Sequence, residues 1–141
     1  MTTRKLGFSP LLKAVYERLT TDALTSSYRV YNFAPPTATL PFITYGSPIG
    51  TRSDSFSTRD TQAEENVFTV HVWSNYAGDK EAAEMMDNIV RALTGSALTV
   101  VAYFAPYLAL LDYSDLVLDE SIPTEPVRHG VLRFRFHMAP S

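Results

Sequence analysis

The sequence predicts an α+β domain: a largely antiparallel sheet with two helices packed on one face, and a long polar loop or hairpin arm. Three observations carry that expectation. Val127 to Met138 alternates strictly, with Leu132, Phe134, Phe136 and Met138 on one side and Arg133, Arg135 and His137 on the other. Asn66 to Trp73 also alternates, setting Phe68, Val70 and Val72 against Val67, Thr69, His71 and Trp73. Both of its sides are substantially apolar, which places it near the centre of a sheet. Two other segments repeat their apolar residues at helical spacing: Leu12, Val15, Tyr16 and Leu19, then Ala82, Met86, Ile89, Val90 and Leu93.

Taken in order, Ser9-Pro10 opens the first helix. Ser is a good N-cap, and Pro is tolerated at the first helical position. The helix runs to Thr20-Thr21, and Asp22 to Thr25 adds a short turn. Arg29 to Phe33 reads as a short strand, stopped by Pro35-Pro36, neither of which can donate to a ladder. Pro41 to Tyr45 is a strand with its proline at the tolerated first position. Gly46 to Glu64 is long and polar, with Ile49 and Phe56 its large apolar residues. Such a length points to a functional loop or an exposed hairpin arm, with Ser55-Phe56-Ser57 as part of a strand.

Asp79 is placed to cap the second helix, Lys80 to Leu93, which Gly95 stops. Ala97 to Leu111 is interrupted by Thr99 and Pro106 alone. It reads as two buried strands around a bend, with Asp112 and Asp115 flanking the next turn. Leu116-Val117-Leu118 is a further strand, and Pro123 and Pro126 bracket the turn before the last one. With no internal repeat and no long linker, residues 1–141 form one domain.

Composition narrows the function. The 141 residues include no Cys, so disulfides, thiolate metal sites and a Cys nucleophile are excluded. A net charge of -3 argues against a global nucleic-acid binder. Charged residues make up 19%, below the roughly 25% of ordinary domains. Aromatic residues reach 12%, so some surface is expected to be reserved for partners. No apolar signal segment follows Met1 to Lys5. The longest apolar run falls short of the roughly 18 residues of a membrane span. The expectation is a cytosolic product that makes no membrane contact.

Charge is also segregated. Residues 1–59 carry seven bases and three acids, residues 60–126 two bases and twelve acids, and residues 127–141 three Arg and no acid. Scattered acids on solvated faces explain part of this. A chain with one acidic and one basic surface, able to pair head-to-tail with copies of itself, explains the rest.

Catalytic patterns are missing from the sequence. His71, His129 and His137 lack ligand spacing, and there is no phosphate-cradling glycine loop or nucleophile elbow. Glu81, Glu84, Asp112, Asp115, Asp119 and Glu120 are acids of the kind a metal-dependent hydrolase uses. The same spacings arise on solvated helix faces and acidic turns. The chain therefore reads as neither an enzyme nor a cofactor binder. Arg128, Arg133, Arg135 and His137 form a candidate basic stripe, facing a neighbouring subunit or a lumen through which DNA passes. The polar outer face of a half-buried strand would look the same. Arg52, Asp54, Phe56, Arg59 and Asp60 form a candidate interface arm.

Two segments, Glu65-Asn66-Val67-Phe68-Thr69-Val70-His71-Val72-Trp73-Ser74 and Arg128-His129-Gly130-Val131-Leu132-Arg133-Phe134-Arg135, anchor a resemblance. Together with the opening helix and Pro41-Phe42-Ile43-Thr44-Tyr45, the order resembles the tail terminators of long-tailed bacteriophages and gene transfer agents. These are also called tail completion or tail-to-head joining proteins. The departures are Gly46 to Glu64 and Ala97 to Asp119.

The resemblance implies a virion protein of the tail or neck that forms a homo-hexameric ring and performs no catalysis. The ring caps the head-proximal end of the tail tube, stops its polymerisation and offers a docking surface to the head-tail connector or stopper. DNA passage through the lumen and assembly in the host bacterial cytoplasm come with it. The alternatives are another neck or tail component, such as a head-completion protein or tube subunit, and more remotely the metal-dependent hydrolase.

Overall fold

The structure is a computed structural model, and it describes residues 7–32, 38–46, 49–52, 64–95, 98–100, 108–119 and 127–138. The elements are α1 (Phe8–Thr21), β1 (Arg29–Tyr31), β2 (Phe42–Tyr45), β3 (Ile49–Arg52), β4 (Glu64–Ser74), α2 (Lys80–Thr94), β5 (Leu108–Asp119) and β6 (Val127–Met138). The sheet runs β1-β2-β4-β6-β5, with β3 also paired to β4. β1 and β2 are parallel and every other described pairing is antiparallel. This is the expected α+β arrangement.

The core lies between the helices and one face of the sheet. In the central β4–β6 ladder Phe68 stands opposite Phe134 and Val70 opposite Leu132. Phe68, Phe134 and Phe136 are fully buried. Each such side chain contributes about 1.5–3 kcal/mol relative to an exposed one. Leu11, Ala14, Val15 and Leu19 of α1 close over them, as do Ala82, Met85, Ile89, Ala92 and Leu93 of α2. Both stripes are turned slightly from the phase read in the sequence. Leu12 is half-buried and Tyr16 is 44% exposed, while Met86 and Val90 fall at the flank of the core. Leu11-Leu12 and Met85-Met86 are adjacent apolar pairs, so hydrophobicity alone leaves the helical phase open by one residue.

The start of α1 differs from expectation. Gly7 is its N-cap, and Ser9 and Pro10 lie inside the first turn. The Gly7 N–H donates to Glu64 Oε1 at 2.7 Å, so a carboxylate from β4 stands in for a capping side chain. The helix dipole favours a negative group there. Pro10 occupies a position whose N–H has no intrahelical acceptor. In the turn before α2, Gly78 has φ of 147°, which an L side chain rarely adopts.

Two further readings change. The polar segment after Tyr45 contains β3, which continues along the edge of β4 that β2 begins, with the Gly46 N–H donating to the Thr69 carbonyl between them. Ser55-Phe56-Ser57 lies outside the described residues. Leu116 to Leu118 is not a separate strand. β5 is one strand along β6, with an irregularity between Leu111 and Tyr113. Asp112 therefore sits at a bulge and Asp115 within a strand, not beside a turn. Leu98 and Val100 are buried without being strand, whereas Leu110 and Leu111 are 45% and 39% exposed. The apolar run looked like core, yet its end forms a sheet edge. No helix among the described residues is long and apolar enough to cross a membrane.

Candidate functional site

The helices cover one face of the sheet; the other face carries the side chains that alternate away from the core. β4 contributes Glu65, Val67, Thr69, His71 and Trp73, and β6 contributes His129, Val131, Arg133, Arg135 and His137, all half-buried except the more exposed Arg133. The register sets Glu65 opposite His137, Val67 opposite Arg135 and Thr69 opposite Arg133. One half of this face is charged and the other half is aromatic.

In the charged half, the Arg135 guanidinium donates to Glu65 and, at 3.1 Å, to Asp112 Oδ2. Arg133 Nε donates to the same Asp112 oxygen at 3.0 Å, and its guanidinium lies 5.4 Å from the centre of the Tyr113 ring. His137 Nε2 is 3.3 Å from Glu65 Oε2. A bulge re-aims a side chain, and Asp112 stands where β5 slips its register against β6. The hydrogen bond from Arg135, with the charges of both arginines, holds the Asp112 carboxyl below the usual carboxylate range. The same bond, with Glu65, raises Arg135. Two arginines thus face two carboxylates, and the stripe is compensated within the chain. Phosphate binding depends on cations that can displace counterions.

Arg128 is not brought together with the other three. It alternates to the helix side, where its Nε donates to Asp79 Oδ1 at 2.8 Å. Asp79 forms no side-chain bond to the start of α2 and instead ties that start to β6. Of the candidate arm, the backbone of Arg52 pairs with Glu64. Asp54, Phe56, Arg59 and Asp60 lie outside the described residues. Glu81 accepts from the Ser74 hydroxyl at 2.7 Å, which pins α2 to β4. That places Glu81 on the helix side of the sheet, while Asp112 pairs with arginines on the opposite side. Among the described residues no three His, Cys, Asp or Glu side chains are grouped to hold a metal.

The aromatic half was not legible in the sequence. His71 Nδ1 lies 2.9 Å from His129 Nε2. Trp73 stacks on His129 with ring centroids 3.8 Å apart and planes within 8°. The Trp73 indole N–H donates to Thr44 Oγ1 at 3.0 Å. Phe42 and then Tyr31 extend the cluster toward β1 at centroid distances of 6.4 and 5.9 Å. Burial lowers the pKa of His71. The available signal was that both histidines fall on the outward sides of the two most regular strands. The result is a preformed plate of rings beside a balanced set of charges, which suits recognition of a protein surface.

The family model described as "Tail completion protein gp17" matches residues 13–139. Among solved structures the chain is similar to one from the "Virion of native gene transfer agent (GTA) particle", with a TM-score of 0.77 at 20% identity. That match covers 92% of this chain and 94% of the other, and it shows a shared fold. No curated protein sequence matches. From within α1 to the end of β6 the family pattern is present, and the chain belongs to the tail completion protein gp17 family, the structural proteins of bacteriophage-type tails.

Proposed function

We propose that this chain is a tail terminator. Copies of it form a homo-hexameric ring on the head-proximal end of the tail tube, stop tube growth and present a docking surface to the head-tail connector or stopper. The ring assembles in the host cytoplasm and leaves a lumen for DNA. Family membership supports a role in tail completion. The open sheet face supports contact with protein: its arginines are compensated by Glu65 and Asp112, and its rings are stacked and half-buried. On this reading Arg133, Arg135 and His137 face a neighbouring subunit or the tube, and the segment holding Asp54, Phe56, Arg59 and Asp60 reaches a neighbour.

Light scattering and negative-stain imaging of the pure protein, alone and with tail tubes, test the reading. Rings, free or seated on tube ends, are expected. A protein that stays monomeric at high concentration and leaves tube ends bare would sink it. Deleting the gene separates the roles. Overlong or unfinished tails indicate a terminator, whereas complete free tails beside leaking heads indicate head completion.

A further inference from the structure

β5 ends the sheet. It pairs with β6 along one side, and among the described residues no strand pairs with its other side. It is 12 residues long and carries Leu110, Leu111, Tyr113, Val117 and Leu118, each between 39% and 47% exposed. Edge strands of free-standing proteins are kept short, charged, strongly bulged or covered. β5 has one bulge and three Asp, yet it is long and keeps five large apolar side chains exposed, which is how a strand looks when a partner covers part of it.

An open groove of about 440 Å³ runs between β5 and α2, floored by Met86, Val90, Leu111 and Leu116 and rimmed by Asp87 and Asp115. The Asp115 carboxylate accepts from the Tyr113 hydroxyl and the Leu116 N–H, and it has no cation beside it among the described residues. α2 and β5 together hold two bases and six acids.

The opposite end of the sheet is β1, only three residues long. Beside it the turn after α1 exposes Leu24 at 39%. Arg29 is exposed as well. It donates to the Thr39 carbonyl at 3.4 Å and has no carboxylate partner among the described residues. Asp22, the nearby acid, accepts the Leu24 N–H. One end of the sheet thus offers apolar surface with unpaired acid, and the other offers apolar surface with an unpaired base.

We propose that the free edge of β5 and the β5–α2 groove form one half of a head-to-tail contact, and that its occupant is a second copy of this chain. The second copy presents its Leu24–Arg29 side. The two halves lie at opposite ends of one sheet, so each copy uses both, and the contact propagates around a ring instead of closing a dimer. The inference rests on the ring reading above and adds which surfaces meet.

Faces can be inactivated separately. One variant carries Leu111→Glu with Leu118→Glu, both exposed on the helix side of β5; the other carries Leu24→Glu with Arg29→Glu. Each alone should be monomeric by light scattering and keep a melting temperature close to the native one. Mixed in equal amounts, they should form dimers, because one intact junction remains. A mixture that stays monomeric, or either variant assembling normally, overturns the proposal.

The chain has no Cys, which permits a milder test should the variants fail to fold. Leu24→Cys and Val117→Cys proteins, mixed and treated with a short bis-maleimide, should cross-link several-fold more than either alone. Equal yields overturn the proposal. If the native chain forms rings while these tests fail, only the assigned surfaces are wrong. If the native chain forms no rings even with tail tubes, the ring reading fails and this inference falls with it.

Discussion

His71 and His129 share a single proton position: Nδ1 of one and Nε2 of the other are 2.9 Å apart. If both rings carry two N–H groups, that bond becomes a contact between two donors. Burial already disfavours charge on His71 and lowers its pKa from 6.5. The unfolded chain therefore binds more protons than the folded one as pH falls through about 6.5. The contribution of His71 to stability is complete above that pH and is lost progressively below it. Melting temperature should fall between about pH 7 and about pH 5, and His71→Phe should flatten this limb. Thermal melts across that range check it. Trp73 is the only Trp and its ring centroid lies 6.3 Å from that of His71, so its emission should change over the same interval. A native protein whose melting temperature does not move would count against His71 as a titrating group in this range.

Asp112 governs a separate, more acid window. Its carboxyl sits below 3.8 because Arg135 and Arg133 bind the ionised form. Stability from a depressed carboxyl is present above the unfolded value and disappears as pH drops through the folded one. Asp112→Asn should remove this part of the acid loss and leave the limb near neutrality intact. Comparison of acid melts of the two proteins measures it, and superimposable acid limbs would show that the bridges add nothing to the fold.

The same geometry changes what charge reversal does. Arg133→Glu with Arg135→Glu gathers like charges around Glu65 and Asp112, so the monomer should lose stability as well as assembly. Adding Asp112→Lys should restore part of the melting temperature. The double-mutant logic isolates coupling that a merely solvated stripe would lack. Strict additivity of the changes is the opposing result.

What the sequence made legible follows from where one constraint dominates. β6 was readable because one side is buried and the other is not, which enforces alternation over Leu132, Arg133, Phe134 and Arg135. β5 was not, because an apolar edge strand and an apolar core strand have the same composition, and exposure of Leu110 or Val117 is a property of the sheet order. β3 was hidden because it is four residues long and Gly50 breaks its β-branched pattern, Ile49 and Thr51 being too few to mark a strand. The pairing of Asp112 with two arginines depends on a bulge, and that of His71 with His129 on a register joining strands 58 residues apart. Neither leaves a local pattern.

Ser74 ties the central strand to α2. Its buried hydroxyl donates to Glu81 at 2.7 Å and accepts the Tyr76 N–H at 3.2 Å. Ser74→Ala should destabilise the fold by about 1–3 kcal/mol, because it leaves the Tyr76 N–H and the Glu81 carboxylate short of a partner. Urea denaturation gives the value. Glu81→Gln keeps an acceptor for the hydroxyl and should cost less; the reverse order would mean that the charge of Glu81, and not the bond, holds the helix.

Neighbouring residues on β6 separate folding from assembly most cleanly. Phe134 is fully buried opposite Phe68, and its ring centroid is 6.2 Å from that of Phe136. Phe134→Ala removes a fully buried ring of the core, so it should cost about 3–5 kcal/mol in chemical denaturation. Arg133, one residue earlier, points out of the opposite face with its side chain 45% exposed. Arg133→Ala should leave the midpoint nearly unchanged. If the open face meets a neighbour, Arg133→Ala should nonetheless weaken assembly. Phe134→Ala should weaken it only at temperatures where the monomer has begun to unfold. Ring formation measured below and above the variant's melting transition distinguishes the two causes, since lost fold recovers on cooling and a lost contact does not.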